Sequence, residues 1–568
     1  MIYFVAAIAG IAGILFGFDE GVIAGALHLL RGEFSITPLD EGLMTAAVPF
    51  GALFGALFAG PGSERYGRRA LLLGAAVLFV FGAVFSGLIT AVWMLSAARL
   101  ALGVAVGIAA MIAPLYISES APSAKRGMLV SIYQLAITLG ILGAYLVNFA
   151  MDDSWRLMFM LGAVPGLALF LGMFVLSDTP RWLALKGRQS EAQTALARLR
   201  GVPAQDASVT AELRDITRAT AGDSGTAKWS DLLAPFVRPA LVVSIGLFLL
   251  QQLSGINAVI YYAPTVFQEA SFDSHATQIM ATIGIGVVNV GMTVVGMMLI
   301  DRIGRRKLLL IGFAGTALSL GMIAIGAATQ AQSLDVLAVA GLVLYIAAFA
   351  ASIGPLPWVM MSELFPQHVR GLGMSVTSLA NWGFNFLVVF SFPVLVASIG
   401  LGGVFGIYAL VCVIGLVFTT RLVPETSGVS LEEIELHLRS GRPLRLLGMF
   451  PGDTTSGNYG QSKAPEGASS GEHETAALIR AIIELGPYQA ALMPLANEIA
   501  RIAHGNNQVR IALQAVSIRT DFPRSGRVRR ADLAAEAGTL FAFLEHIRFA
   551  SPDFLGSVGE WPVGEKRG

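Results

Sequence analysis

The chain has 568 residues, 55% of them hydrophobic and only 13% charged, about half the charge of an ordinary soluble domain. Its 38 basic and 38 acidic residues cancel, which leaves no electrostatic footprint for nucleic acid. The single cysteine, Cys412, excludes an intramolecular disulfide framework and a cysteine-built metal site.

The apolar residues fall in runs long enough to cross a bilayer, for which about 20 are needed. Twelve spans are predicted, near 2–28, 42–60, 70–90, 92–117, 127–150, 157–177, 239–265, 277–300, 308–328, 335–361, 372–398 and 402–422. The first begins almost at Met1, carries Asp19 and Glu20, and runs into a polytopic pattern; it reads as a retained helix and not a cleaved signal. Arg99 lies within span four and Gln134 within span five. Span seven holds Gln251, Gln252 and Asn257, interrupted by Ser254-Gly255, with Tyr261, Tyr262 and Pro264 beyond. On a regular helix those three amides do not share a face, so unwinding at Ser254-Gly255 is expected to make them converge. Span eight adds Asn289, and span eleven adds Asn381, Trp382 and Asn385. Gly354, Pro355 and Pro357 before Trp358 predict a second broken helix in span ten.

Polar side chains at membrane depth usually face a cavity or another helix, and interrupted helices mark transporter binding sites. Each Gln or Asn offers a donor and an acceptor, which suits a neutral polyhydroxylated ligand, and Trp358 or Trp382 can cover the apolar face of a sugar ring. No cluster of basic residues sits at depth to hold a phosphate or carboxylate. The plainer alternative is that the amides only link helices.

The two sets of six spans resemble each other. Glu64-Arg65-Tyr66-Gly67-Arg68-Arg69 recurs as Asp301-Arg302-Ile303-Gly304-Arg305-Arg306, and Glu119 with Arg126 recurs as Glu363 with Arg370. Asp178-Thr179 after span six is matched by Glu425-Thr426 after span twelve. The fold expected is an all-α membrane protein of twelve transmembrane helices in two pseudo-symmetric six-helix bundles. Loops carrying Arg65, Arg68, Arg69, Lys125, Arg126, Arg302, Arg305, Arg306, Lys307 and Arg370 alternate with loops that are mostly acidic, Arg31 and Arg156 excepted. The bias places both termini in the cytoplasm. The duplicated charges, Glu64, Arg65, Arg68, Glu119 and Arg126 with Asp301, Arg302, Arg305, Glu363 and Arg370, read as a cytoplasmic latch of an alternating-access protein. A latch biases one conformation without touching substrate; the alternative is topogenic charge in weak surface pairs.

These residues resemble the sugar porter family of the major facilitator superfamily over roughly 5–435. The matching segments are Gly60 to Arg69, Pro114-Leu-Tyr-Ile-Ser-Glu119 with Arg126-Gly127, and Asp178-Thr-Pro-Arg-Trp182. Gln251-Gln-Leu-Ser-Gly-Ile-Asn257 with Tyr261-Tyr262 is the most specific, joined by Gly354-Pro-Leu-Pro-Trp358, Glu363, Asn381-Trp382 and Pro424-Glu-Thr-Ser-Gly428. Glu64 stands where Asp is usual, and Asp178-Thr179 where Glu-Ser is usual. The resemblance implies sugar contacts at Gln134, Gln251, Gln252, Asn257, Asn289, Trp358, Asn381 and Trp382, with Phe16, Tyr262, Gly354 and Asn385 of second rank. It also implies proton coupling through Asp19 and Arg99, since proton-coupled members carry this pair and facilitative ones commonly lack the acid. Gly162 occupies a span-six position where some coupled members have a further carboxylate.

The expected organisation is an N-terminal bundle (1–178), a cytoplasmic helical linker (179–238), a C-terminal bundle (239–425), a flexible cytoplasmic linker (426–472) and an extension (473–568). The region 437–568 holds 28 of the charged residues, and apolar residues at helical spacing around 473–504 and 531–548 suggest a soluble helical tail able to meet a protein partner. Its histidines show no metal-ligand spacing. The function expected is import of a sugar with a proton, in the plasma membrane, with no enzyme chemistry, cofactor or metal. A uniporter for sugar or polyol is the alternative within transport, and a sugar sensor signalling through the tail is the alternative outside it.

Overall fold

The computed structural model describes residues 1–447, apart from 123–125, 223–228, 271, 273 and 332–333. The extension at 473–568 therefore lies outside the described residues, as does all of 448–472.

The helices are α1 (Ile2–Glu33), α2 (Pro38–Tyr66), α3 (Arg68–Leu88), α4 (Val92–Ser120), α5 (Arg126–Ala150), α6 (Trp155–Leu161) and α7 (Ala163–Val175) in the first half. The linker holds α8 (Pro180–Leu185), α9 (Gln189–Arg200) and α10 (Ala207–Gly222). The second half has α11 (Arg238–Leu253), α12 (Ile256–Glu269), α13 (His275–Ile303), α14 (Arg305–Ala328), α15 (Leu334–Ala348), α16 (Leu356–Leu364) and α17 (Arg370–Leu422), followed by α18 (Leu431–Arg439). Among the described residues, eleven continuous stretches are long and apolar enough to span a bilayer. The last, α17, breaks where Gly400 adopts φ 71°, which divides it into two and gives twelve span-length segments among the described residues. Large apolar side chains around the bundle, such as Phe81, Trp93, Val175 and Leu318, are exposed and form the surface that lipid tails would cover.

Small residues set the packing, because lipid offers no hydrophobic drive between helices and close backbone contact must replace it. Gly13, Gly17, Gly21 and Gly25 form one stripe of α1 laid against α5. A Cβ at Gly17 would run into the Ile137 carbonyl. Gly51 and Gly55 of α2 meet Leu100, Gly103, Val104 and Ile108 of α4 in the same way. Much of the glycine excess is spent on these seams.

We use "linker end" for the end of the bundle at which α7 and α11 meet the linker, and "far end" for its opposite. At the far end the halves touch. The Tyr145 hydroxyl of α5 donates to the Ile260 carbonyl at 2.9 Å, and Gly42 of α2 lies against Phe390. The His28 and His275 rings stack at 4.6 Å, with His275 Nε2 3.1 Å from Asp152. The two basic exceptions in the acidic loops are each matched by an acid, Arg31 by Glu41 at 2.7 Å and Arg156 by Glu33 at 2.6 Å.

The expected flexible segment after residue 425 is ordered in its first part. Ser430 and Glu433 make a capping box for α18, and Ile434 and Leu438 are buried, while Arg439 lies over the Phe236 ring. An amphipathic turn with a good cap and an apolar seat is held down even where the flanking sequence is polar.

The broken helices sit where the sequence expects them. Gly255 has φ 90° between α11 and α12, and its α-carbon faces the Tyr408 ring. An alanine there meets both the left-handed backbone penalty and that ring, costing about 2 kcal/mol. Gly255→Ala is expected to lower the melting midpoint of the detergent-solubilised protein by a few degrees; an unchanged midpoint would contradict this reading of the break.

Candidate functional site

The break at Ser254-Gly255 brings the span-seven amides together. Asn257 Nδ2 donates to Gln252 Oε1 at 2.5 Å, and Gln252 Nε2 donates to Asn381 Oδ1 at 2.7 Å. Three buried amides from α11, α12 and α17 thus form one chain. The loose end of α11 is tied by Ser254, whose hydroxyl donates to the Gln251 carbonyl at 2.6 Å, and by the Tyr345 hydroxyl, which donates to the Ser254 carbonyl at 3.1 Å.

Gln251 has a different first task. Pro355 and Pro357 lack the N–H groups that would close the helix behind them, and the chain passes through a wide π-type turn at Phe349–Ile353. Gln251 Nε2 donates to the carbonyls of Ile353 and Gly354, each at 2.8 Å. Its Oε1 is buried and has no hydrogen-bond partner among the described residues.

Trp382 follows Asn381 and meets Phe16 of α1 across the two halves, ring centroids 5.3 Å apart. Trp358 stands edge-on to Phe248 at 4.8 Å. Asn385 is buried with Oδ1 unpartnered. Asn289 on α13 is buried and Gln134 on α5 is half-buried; among the described residues neither joins the amide chain. Tyr262 donates to the Val389 carbonyl at 3.2 Å and stacks on Phe392, so its hydroxyl is already committed.

Asp19 and Arg99 meet at 3.5 Å, with side chains 2% and 0% exposed. Arg99 Nε also donates to the Met44 carbonyl at 3.1 Å, its guanidinium lies 5.7 Å from the Phe159 ring centroid, and Nη1 has no partner. A charge pair held this deep must be made well or not at all. Here α1, α2, α4 and α6 supply one partner each.

The duplicated charges build two matching networks at the linker end. Arg68 Nη2 donates to Glu119 Oε1 at 2.9 Å, Thr179 donates to Glu119 Oε2 at 2.6 Å, and Asp178 accepts the Arg68 and Arg69 backbone N–H groups at 3.1 and 3.3 Å. In the second half Arg305 donates to Glu363 Oε1 at 3.1 Å, Thr426 to Glu363 Oε2 at 2.5 Å, and Glu425 accepts from the Arg305 and Arg306 N–H groups at 2.8 and 3.2 Å. The acid of each pair therefore caps a helix start, α3 or α14, where carboxylates are favoured, while the Thr holds the glutamate of its network. Nothing in spacing alone indicated this role. Burial pushes the Asp178 carboxyl above its ordinary range, against the pull of its backbone donors and Arg68. Glu64, Arg65 and Arg302 are exposed, and Arg370 Nε donates to the Phe365 carbonyl at 3.2 Å. The Arg126 side chain lies outside the described residues. The Arg68–Glu119 and Arg305–Glu363 pairs each lie within one half.

Magnitudes separate the members. Arg305 also contacts Asp301 at 3.0 Å, but Asp301 is 82% exposed, whereas Glu363 is 20% exposed. Glu363→Ala is expected to cost about 1–3 kcal/mol by removing the less exposed of the two acids on Arg305 and stranding the Thr426 hydroxyl, and Asp301→Ala under about 0.5 kcal/mol. Thermal melts of the two variants check this; equal shifts would contradict it.

A family model described as "Sugar (and other) transporter" matches residues 5–438. The chain belongs to that family of membrane transporters. It is 39% identical over 442 residues to a D-xylose transporter of Levilactobacillus brevis, covering 77% of this chain and 96% of that protein. It is 38% identical over 454 residues to a galactose-proton symporter of Escherichia coli (strain K12), covering 79% and 97%. The inward-open structure of the xylose transporter XylE from E. coli matches with a TM-score of 0.67 at 31% identity, covering 77% of this chain and 99% of that one.

Proposed function

We propose that this protein imports a sugar together with a proton by alternating access. The observation that carries the reading is the buried Asp19–Arg99 pair, on the same helix as Phe16, which reaches the amide-and-tryptophan cluster of the other half. Protonation of Asp19 removes its attraction for Arg99, and that change frees α1 from α4, so proton binding and the substrate side of α1 are coupled. The symporter names among its relatives support the same conclusion.

Gln251 Oε1, Gln252, Asn257, Asn289, Asn381 and Gln134 supply the donors and acceptors for hydroxyls, and Trp358 and Trp382 the faces for ring C–H groups. Which sugar is held depends on placement of these same groups, with pentoses and hexoses both within the class. The basic loops favour cytoplasmic termini and a plasma-membrane location. With that orientation the far-end contacts close the outer side. The networks around Arg68–Glu119 and Arg305–Glu363 then hold the cytoplasmic ends of their halves rigid, and they engage across the halves as a latch when that side closes.

Counterflow in proteoliposomes, with radiolabelled D-xylose, D-galactose, arabinose and inositol, tests the reading. Exchange of at least one of them is expected. Saturable binding without exchange would favour a sensor, and exchange without proton-driven accumulation would favour a uniporter.

A further inference from the structure

The two broken spans each leave backbone carbonyls open, and each break is closed by a side chain of the other span. In span seven the helical ladder of α12 begins with the Val259 N–H on the Gly255 carbonyl, and the Gly255 N–H turns back to the Gln252 carbonyl at 3.0 Å. The Gln251 and Ser254 carbonyls are thereby left without the amide four residues on. Ser254 Oγ covers the first, and the Tyr345 hydroxyl, from α15 of span ten, donates to the second at 3.1 Å. In span ten Pro357 has no N–H for the Ile353 carbonyl, and Gln251 Nε2 of span seven holds both that carbonyl and the one of Gly354. Tyr345 and Ser254 are each 0% exposed, so their bond is made away from water, where an open carbonyl is costly.

The angle of the span-seven break decides the geometry of the amides. Gln252 and Asn257 are five residues apart, about 140° around a regular helix, so they meet only because the span is bent. Their 2.5 Å hydrogen bond runs across the break, from α12 to the last turn of α11. Whatever fixes the angle at Ser254-Gly255 therefore fixes that bond, and with it the link from Gln252 to Asn381. Gly255, with φ 90°, permits the bend but does not specify it. The Tyr408 ring against its α-carbon is a contact without direction. The directed contact is the Tyr345 hydroxyl. Without it, the Ser254 carbonyl regains a partner most simply by straightening of the span, which carries Asn257 away from Gln252.

We propose that Tyr345 is a positioning residue for sugar recognition, acting with Ser254 to hold the span-seven break at the angle that aligns Gln252 and Asn257. The assignment rests on the transport reading above. It gives a part in recognition to a side chain whose one polar group is already engaged, since the hydroxyl is donated to the Ser254 carbonyl and lies 3.3 Å from Ser254 Oγ. Relaxing the angle displaces the amides from the sugar hydroxyls while the helices stay packed, so affinity falls and the rate of exchange does not.

Tyr345→Phe removes the hydroxyl and keeps the ring, which lies 6.1 Å from that of Phe349. The test uses full-length protein and whichever of D-xylose, D-galactose, arabinose and inositol exchanges best. Binding is measured by calorimetry, and the maximal counterflow rate per folded protein in proteoliposomes. Tyr345→Phe is expected to raise the dissociation constant about threefold to tenfold, with the maximal rate held within about twofold. In an Asn257→Ala background the bond across the break is already gone, and the same substitution is expected to add less than about twofold. An unchanged dissociation constant, or the same factor in both backgrounds, would overturn the assignment and leave Tyr345 a packing residue. If Tyr345→Phe is not recovered folded, Ser254→Ala must show the same non-additive pattern, and an absent or additive effect there overturns the proposal equally. Wild-type protein that neither binds nor exchanges any of the four sugars removes the transport reading and this role with it; normal wild-type exchange with an additive Tyr345 effect removes only the positioning role.

Discussion

Asp19→Asn is expected to abolish proton-driven sugar accumulation while leaving counterflow measurable. Asparagine keeps the size of the side chain and its hydrogen-bonding ability, but it cannot alternate between charged and neutral forms. In the wild type, an inward gradient of one pH unit is worth about 1.4 kcal/mol, or a tenfold accumulation if one proton accompanies each sugar. In the variant the ratio should fall to about one, a full loss of coupling. The pair's burial makes this sharp: Arg99 is 0% exposed and already has one unpartnered nitrogen, so losing the carboxylate charge leaves it without its counter-ion. If Asp19→Asn still accumulates sugar tenfold, the pair is a static brace between α1 and α4 and the symport mechanism falls.

The second large effect concerns Gln252. Its amide is the centre of the chain from Asn257 to Asn381. Gln252→Leu fills much of the same volume but strands a donor on Asn257 and an acceptor on Asn381. The stranded groups lower stability, and the loss of the hydrogen bonds that Gln252 and the amides it orients would give the sugar, about 1–3 kcal/mol in all, is expected to weaken binding by about tenfold to a hundredfold. Counterflow half-saturation measured per folded protein separates recognition from packing. If the amides only join helices, the melting midpoint falls and the half-saturating concentration stays where it was; that outcome would remove Gln252, Asn257 and Asn381 from the site.

Much of this architecture was legible in the sequence because the signals that specify it are long and repeated. Spans of about twenty apolar residues leave little choice of element. The recurrence of Gly-Arg-Arg at 67–69 and 304–306 reported the duplication before any coordinate did. The break in span seven was also accessible, since Gln251, Gln252 and Asn257 cannot share a face of a regular helix, and Gly255 is indeed left-handed.

What escaped were interactions between elements distant in the chain. Asp178 and Glu425 cap α3 and α14 from 110 and 120 residues away, and no local periodicity carries that information. Gln251 looked like an ordinary site amide, yet its Nε2 is committed to the Ile353 and Gly354 carbonyls at the break in another span. Arg31 and Arg156 broke the charge pattern of their loops until Glu41 and Glu33 were found beside them. The extension at 473–568, whose helical spacing suggested a soluble tail, lies outside the described residues.

Sugar-triggered proton uptake tests the central claim most directly. Sugar is added to lightly buffered, de-energised vesicles or cells containing the protein, and the external pH is followed. Entry of sugar with a proton predicts prompt alkalinisation of the medium, dissipated by a protonophore and absent in Asp19→Asn. Sugar entry at an undiminished rate with no change in external pH would contradict it.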